Sequence, residues 1–282
     1  MKKNVYLTII TIITVLAIVL GVLWRFTPLT GGSLPWERTE RSSEDSDRDL
    51  RITKTWGAQE LGECQSIHLS FDAADVILET GGQSEIRFEG NEKIMPVVRA
   101  ENGQWTVKQK EKKTYFTGVQ DLYENNRLVI TVPEGSLPEL VELEADAGDV
   151  DMKGLHVQTL SIEVDAGDLD LEKMDIQKLV LDVDAGDIDV LDTTFTEGKI
   201  DADMGNVKVM NGVFSDVSVD LDAGDVEIHS AVSLEDADLN LNVDMGEVHV
   251  NGQGSGKAFQ QQGASGTRLS VAADLGDIQV SW

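Results

Sequence analysis

A five-residue string, Asp146-Ala147-Gly148-Asp149-Val150, returns as Asp165-Ala166-Gly167-Asp168-Leu169, Asp184-Ala185-Gly186-Asp187-Ile188, Asp203-Met204-Gly205-Asn206-Val207 and Asp222-Ala223-Gly224-Asp225-Val226, each 19 residues after the last. Looser copies follow at Asp244-Met245-Gly246-Glu247-Val248 and Asp274-Leu275-Gly276-Asp277-Ile278, the last interval stretched by an insertion around Gly252 to Gly266. A faint early copy stands at Asp72-Ala73-Ala74-Asp75-Val76. A fixed period of this length marks stacked units, each of which buries its apolar face only against its neighbours.

Parity within one unit assigns the glycine its task. In Leu179-Val180-Leu181-Asp182-Val183-Asp184-Ala185 the odd positions Leu181, Val183 and Ala185 are apolar and the even Asp182 and Asp184 acidic, a strand with one dry face. Beyond Gly186-Asp187 the apolar residues are Ile188 and Val190, so the phase has slipped by one. A straight strand cannot do this without turning its core residues to water, so a corner or bulge sits at Gly-Asp. Glycine suits that corner because a residue without Cβ accepts positive φ and close backbone approach. The expected corner glycines are Gly148, Gly167, Gly186, Gly205, Gly224, Gly246 and Gly276. At about 3.3 Å per extended residue, one period makes two or three short strands and leaves no room for a helix between corners. The expected fold is therefore all-β, a β-solenoid resembling a parallel β-helix with rungs of about 19 residues.

Ahead of the array, over 52–138, short strands of irregular spacing are expected at Ser66 to Phe71, Asp75 to Glu79, Glu85 to Glu89, Pro96 to Ala100, Gln104 to Lys108 and Arg127 to Val132. Asn102-Gly103 supplies the two positive-φ positions of a tight hairpin turn. This section reads as the start or cap of the array, which occupies 139–282. At the other extreme, Met1-Lys2-Lys3-Asn4 precedes a run without charge from Val5 to Trp24, long enough to span ~30 Å of hydrocarbon as a helix. A cleaved signal peptide is the competing reading, but its apolar region is shorter and a small-residue cleavage site is missing after Leu23. Residues 1–26 are thus expected to be a cytoplasmic N-terminus and a single transmembrane anchor, with Lys2 and Lys3 inside and the rest of the chain outside the cell. Residues 27–51, rich in Gly, Ser, Thr and mixed charge, read as a flexible stalk.

The chain carries 51 acidic and 23 basic residues, a formal charge of -28, which excludes nucleic acid as a partner and favours cationic peptides, cations or an envelope protein. Cys64 is the one cysteine and reads as a buried free thiol. Stacked rungs lie about 4.8 Å apart, so Asp149, Asp168, Asp187 and Asp225 form a column of like charges interrupted by Asn206. Two carboxylates at that distance repel by ~0.9 kcal/mol in water. Two readings are open: solvated aspartates capping turn amides, as in Asx turns, or Ca²⁺ held between rungs by Asp149, Asp168, Asp187 and Asp225. The nonapeptide calcium repeat, with its Gly-Gly-x-Gly-x-Asp, does not occur.

Nothing in the chain reads as a catalytic centre. Catalytic carboxylate pairs occur once, whereas this motif repeats with the fold. His68, His156, His229 and His249 mostly alternate with apolar neighbours and point outward singly, without zinc-ligand spacing. Gly252-Gln253-Gly254-Ser255-Gly256-Lys257 has Ala258 where a phosphate loop needs Ser or Thr, and reads with Gln260, Gln261 and Gln262 as a flexible exposed insertion. No cofactor is expected beyond the calcium alternative.

With its repeated Gly-Asp-[Val/Ile] corners, the opening Ala74-Asp75-Val76-Ile77 and Leu128-Val129-Ile130-Thr131-Val132-Pro133 before the array, the chain resembles the β-strand-repeat family that carries the label "putative adhesin", common in Gram-positive envelopes. The resemblance spans about Ile67 to Trp282. It implies an envelope-associated protein, in a family some of whose members are linked to envelope stress responses and antimicrobial-peptide sensing, and it carries over no catalytic residue. The expectation is a non-enzymatic, membrane-anchored extracytoplasmic protein that senses envelope stress or binds cationic ligands. Its alternatives are an adhesin for a host or surface ligand and a carbohydrate-active β-helix enzyme.

Overall fold

The structure, a computed structural model, describes residues 51–109 and 125–282, all within one compact unit, Ser46–Trp282. The expected span from Val5 to Trp24 and nearly all of the expected stalk lie outside the described residues, among which no helix is long and apolar enough to cross a membrane.

The chain enters through β1 (Arg51–Gly57) and a one-turn helix, α1 (Ala58–Leu61). The first rung is β2 (Ser66–Phe71) and β3 (Asp75–Gly81); β4 (Glu85–Asn91), β5 (Val97–Glu101), β6 (Gln104–Lys108) and β7 (Arg127–Pro133) follow. Then come the repeats, two strands to a rung: β8 (Leu140–Ala145) with β9 (Val150–Lys153), β10 (His156–Val164) with β11 (Leu169–Glu172), and β12 (Asp175–Ala185) with β13 (Ile188–Leu191). Next are β14 (Thr194–Met204), the long β15 (Val207–Ala223) and β16 (Val226–Ser230). The chain finishes with β17 (Asp238–Met245), β18 (Val248–Val250), β19 (Gln253–Gly254), β20 (Ala258–Gln261), β21 (Arg268–Leu275) and β22 (Ile278–Ser281).

These strands build two faces around one core. On the first face β6, β2, β8, β10, β12, β14, the second half of β15, β21 and β17 lie side by side, every pair parallel. On the second, β7, β3, β9, β11, β13, the first half of β15, β16, β22 and β18 do the same. The register repeats with the sequence period, so like sits on like: Val150, Leu169, Ile188, Val207 and Val226 form one fully buried column, and Leu143, Ile162, Leu181, Ile200 and Val219 form another. Where the column Leu160, Leu179 reaches Gly198, the Phe195 ring takes the space of the missing side chain and stacks on Phe214 at 5.8 Å between centroids. The Asn102-Gly103 turn has φ of 53° and 81° and joins β5 to β6 in antiparallel register, as the sequence predicts.

Two features depart from the sequence reading. Rungs do not stack in chain order at either end. The rung β6/β7 lies outside β2/β3, and β8/β9 returns to the inner side of β2/β3. At the far end β17/β18 is outermost, and the C-terminal pair β21/β22 inserts between it and β15/β16. The insertion around Gly252 to Gly266 is likewise more than a flexible loop, since β19 and β20 pair antiparallel with β18 and β17. An unpaired terminal rung would expose a row of free amides and carbonyls, and these strands cover it. Gln261 holds the cover in place, its Nε2 donating to the carbonyls of Leu234 and Ala237, each at 2.9 Å. Antiparallel strands do the same at the entry end, β5 on β6 and β4 on β7, with β1 on β4.

Candidate functional site: the acidic corner

At the Gly-Asp corners the repeats meet backbone to backbone. Gly148, Gly167, Gly186, Gly205, Gly224, Gly276 and Gly246 all have φ between 126° and 152° and stack in that spatial order. A Cβ on Gly167 would fall on the carbonyl oxygen of Gly148, one on Gly186 on that of Gly167, and so on up the column. Two demands converge there, positive φ and no room, and only glycine meets both.

The neighbouring aspartates cap amides, though of the next rung rather than of their own turn as an Asx turn would have it. Asp149 Oδ1 accepts from the Asp168 amide at 3.1 Å, and Asp168 Oδ1 from the Asp187 amide at 2.9 Å. Asp187 Oδ1 accepts from the Asn206 amide at 2.7 Å and Asn206 Oδ1 from the Asp225 amide at 3.0 Å. The line continues through Asp225 to the Asp277 amide at 2.8 Å and Asp277 to the Glu247 amide at 2.9 Å. Charge-assisted bonds of this kind offset the like-charge repulsion within the column. Asn206 adds a donor as well, its Nδ2 reaching Asp187 Oδ1 at 3.0 Å. Among the described residues no group of three or more His, Cys, Asp or Glu is placed to hold a metal ion. Asp149, Asp168, Asp187 and Asp225, the four calcium candidates, each have one carboxylate oxygen engaged in this ladder.

Further acidic columns flank the ladder. Before the corner, Asp146, Asp165, Asp184, Asp203 and Asp222 are exposed, with Glu144, Glu163, Asp182, Asp201 and Asp220 two residues upstream. Past the corner, on the second face, Asp151, Asp170 and Asp189 pair in register. Burial pushes the Asp170 carboxyl above the ordinary range, and Asp151, Asp189, Asp168 and Asp149 push it further. Asp203 is raised for the same reasons, burial first and then Asp222 and Asp184. Asp151, Asp170 and Asp189 edge a groove of about 460 Å³ whose other walls include Leu191, Met210 and Lys208. Lys153, also on the groove, is held at 2.5 Å by Glu172. The alternation that places Asp182 and Asp184 outward points to these flanking columns, and the strand register shows that they stack beside the ladder.

The histidines lie apart. His68 Nδ1 meets Glu142 Oε2 at 2.7 Å, His156 meets Asp175 at 3.3 Å, His229 meets Ser281 Oγ at 3.0 Å, and His249 approaches Glu247 at 3.5 Å. Cys64 is half-buried against the core, and burial pushes its thiol up to about 12, which keeps it protonated and unreactive at neutral pH.

No curated protein matches the chain. Solved structures similar to it include a "putative adhesin" from Bacteroides fragilis, with a TM-score of 0.50 and 15% identity over 82% of this chain and 97% of that one. Others are a "putative adhesin" from Parabacteroides merdae (TM-score 0.44, 14% identity, 82% and 95% covered) and a "putative cell adhesion protein" from Clostridium sporogenes (0.42, 11%, 82% and 99%). The Bacteroides likeness speaks to the fold. The Toastrack DUF4097 profile matches residues 64–281, which takes in both the irregular N-terminal rungs and the whole repeat array, and the chain belongs to that family.

Proposed function

We propose that this chain is a non-enzymatic, membrane-anchored extracytoplasmic binding module whose acidic corner takes cationic ligands, cationic peptides or the basic surface of an envelope protein, in the sensing of envelope stress. The observation that carries the reading is the convergence of four carboxylate columns on one corner, in register from rung to rung. Such a field raises the local concentration of cations and speeds their encounter. The uncharged run from Val5 to Trp24 supports the anchor, with the N-terminus cytoplasmic and the solenoid outside.

The test is binding of a cationic peptide to the full chain in lipid nanodiscs at low and high salt. Affinity falling steeply as the Debye length shrinks from about 10 Å to 3 Å is the expected result. Binding indifferent to salt favours the adhesin reading, to which the names of the solved neighbours lend support. The anchor is checked separately: alkaline washing of membranes leaves the chain in the pellet, and release into the supernatant removes that part of the proposal.

A further inference from the structure

The residue between Asp and Gly in each corner faces water, and along most of the array it is alanine: Ala147, Ala166, Ala185 and Ala223. It is large and apolar in three copies, Met204, Met245 and Leu275, which are 59%, 61% and 43% exposed. Sequence spacing separates these three widely. The threading of the C-terminal rung brings them into one line, because Met204 pairs with Ala223, Ala223 with Leu275, and Leu275 with Met245. The result is an apolar stripe across four adjacent rungs at the far end of the solenoid, roughly 14 Å long at ~4.8 Å per rung. Asp203, Asp222, Asp274 and Asp244 run along one side of it, and Asn206, Asp225, Asp277 and Glu247 along the other. One cation stands at its end, Lys257, whose Nζ donates to the Asp244 carbonyl at 2.5 Å.

We infer that this stripe is the docking site for the apolar face of a cationic amphipathic helix, a sharper form of the cation-binding reading and resting on it. Both halves of the surface are then satisfied. A helix presents an apolar side chain about every 5.4 Å along one face, close to the rung spacing, so three turns lay their apolar residues on Met204, Ala223, Leu275 and Met245. Lysines or arginines flanking that face reach the two acidic rows. Charge argues against the other occupants: a second copy of this chain would set carboxylate rows against carboxylate rows, and an anionic lipid surface would set phosphates against them.

The experiment uses the full chain in phosphatidylcholine nanodiscs, empty nanodiscs as the blank, and two probes of equal charge: a synthetic amphipathic helix of leucine and lysine, and an oligolysine. The triple variant Met204→Ser/Leu275→Ser/Met245→Ser is expected to lose about tenfold or more in affinity for the amphipathic probe while holding oligolysine as the unaltered chain does. Ala223→Leu, which fills the one small position in the stripe, is expected to tighten the amphipathic probe severalfold and leave oligolysine unchanged. If the triple variant and Ala223→Leu leave the amphipathic probe unaffected while oligolysine still binds, the stripe is not the site and the broader reading stands. If neither probe binds the unaltered chain, both fall. Self-association or anionic-vesicle binding that the serine variant abolishes, with peptide binding unchanged, assigns the stripe to those partners instead and overturns the inference.

Discussion

Each rung turns twice, and the two turns are built on different principles. At the Gly-Asp corner seven glycines stack so closely that each would drive a Cβ into the carbonyl of its neighbour. At the opposite corner the left-handed position is held by Gly154, Lys173, Asp192 and Asn211, with φ of 73°, 55°, 52° and 57°. The second corner needs the same sign of φ but leaves room for a side chain. The amides of its left-handed residues bond backbone carbonyls, Lys173 to that of Leu191 and Asp192 to that of Met210, both at 2.9 Å. Where the backbone is crowded the sequence is nearly invariant from rung to rung, and where only a dihedral is required it varies freely. Repetition in this chain therefore measures steric constraint, and the acidity travels with it.

The sharpest way to break that contrast is Gly186→Ala. Positive φ and a collision with Gly167 together are expected to cost about 3 kcal/mol or more, read as a lower denaturant midpoint. A cost below about 1 kcal/mol would mean that the corner relaxes and that glycine is there for its dihedral only.

Acidification comes next. Asp170 and Asp203 have folded-state pKa values raised above their unfolded ones, so the folded chain holds more protons in the window between the two. Their contribution is full below the ordinary aspartate range and is lost as pH rises through the raised values. Glu172, held low by Lys153 and Lys173, works in the opposite sense, but it is only half-buried and its pairing is screened. The thermal midpoint is therefore expected to rise by a few degrees as pH falls from neutral toward the carboxylate range. The double variant Asp170→Asn/Asp203→Asn should flatten that rise, and a midpoint that drops steadily from pH 7 downward would contradict the raised values.

Asn206→Asp is a smaller change, since it closes the gap in the ladder and removes the Nδ2 bond to Asp187. Repulsion from rungs on both sides makes a loss of about 1–2 kcal/mol at low salt, shrinking as salt is added. Equal stability at both salt concentrations would mean that the amide caps absorb the charge. At the second corner Lys173→Gly relieves an unfavourable φ but loosens the unfolded chain, so thermal denaturation should move by no more than about 0.5 kcal/mol. A loss comparable to that of Gly186→Ala would erase the distinction between the corners.

Much of this was legible in the residues. The strands Ser66–Phe71 and Gln104–Lys108 end where alternation ends, and the one-residue slip in phase at Gly186-Asp187 locates the bend between β12 and β13. β1 escaped because Arg51-Ile52-Thr53-Lys54-Thr55 carries no buried face of its own and is a strand by virtue of pairing with β4. The edge strands β19 and β20 escaped likewise, since Gly-rich and Gln-rich sequence reads as loop until an unpaired rung beside it offers hydrogen bonds.

The sequence alone determined the local facts: the period, the glycine bend, the dry interior and the outward acids, each of which follows from dihedral limits and strand parity acting over a few residues. Only the tertiary structure decided which rung lies on which. Every rung offers its neighbour the same hydrogen-bonding edge and the same apolar column, so local pattern cannot prefer chain order over insertion. The placement of β21/β22 between β15/β16 and β17/β18 is a choice among nearly equivalent pairings, made by the connections and by the edge strands that close the end. That choice sets Leu275 beside Met245 and hands the Asp225 carboxylate to the amide of Asp277 rather than to that of Glu247.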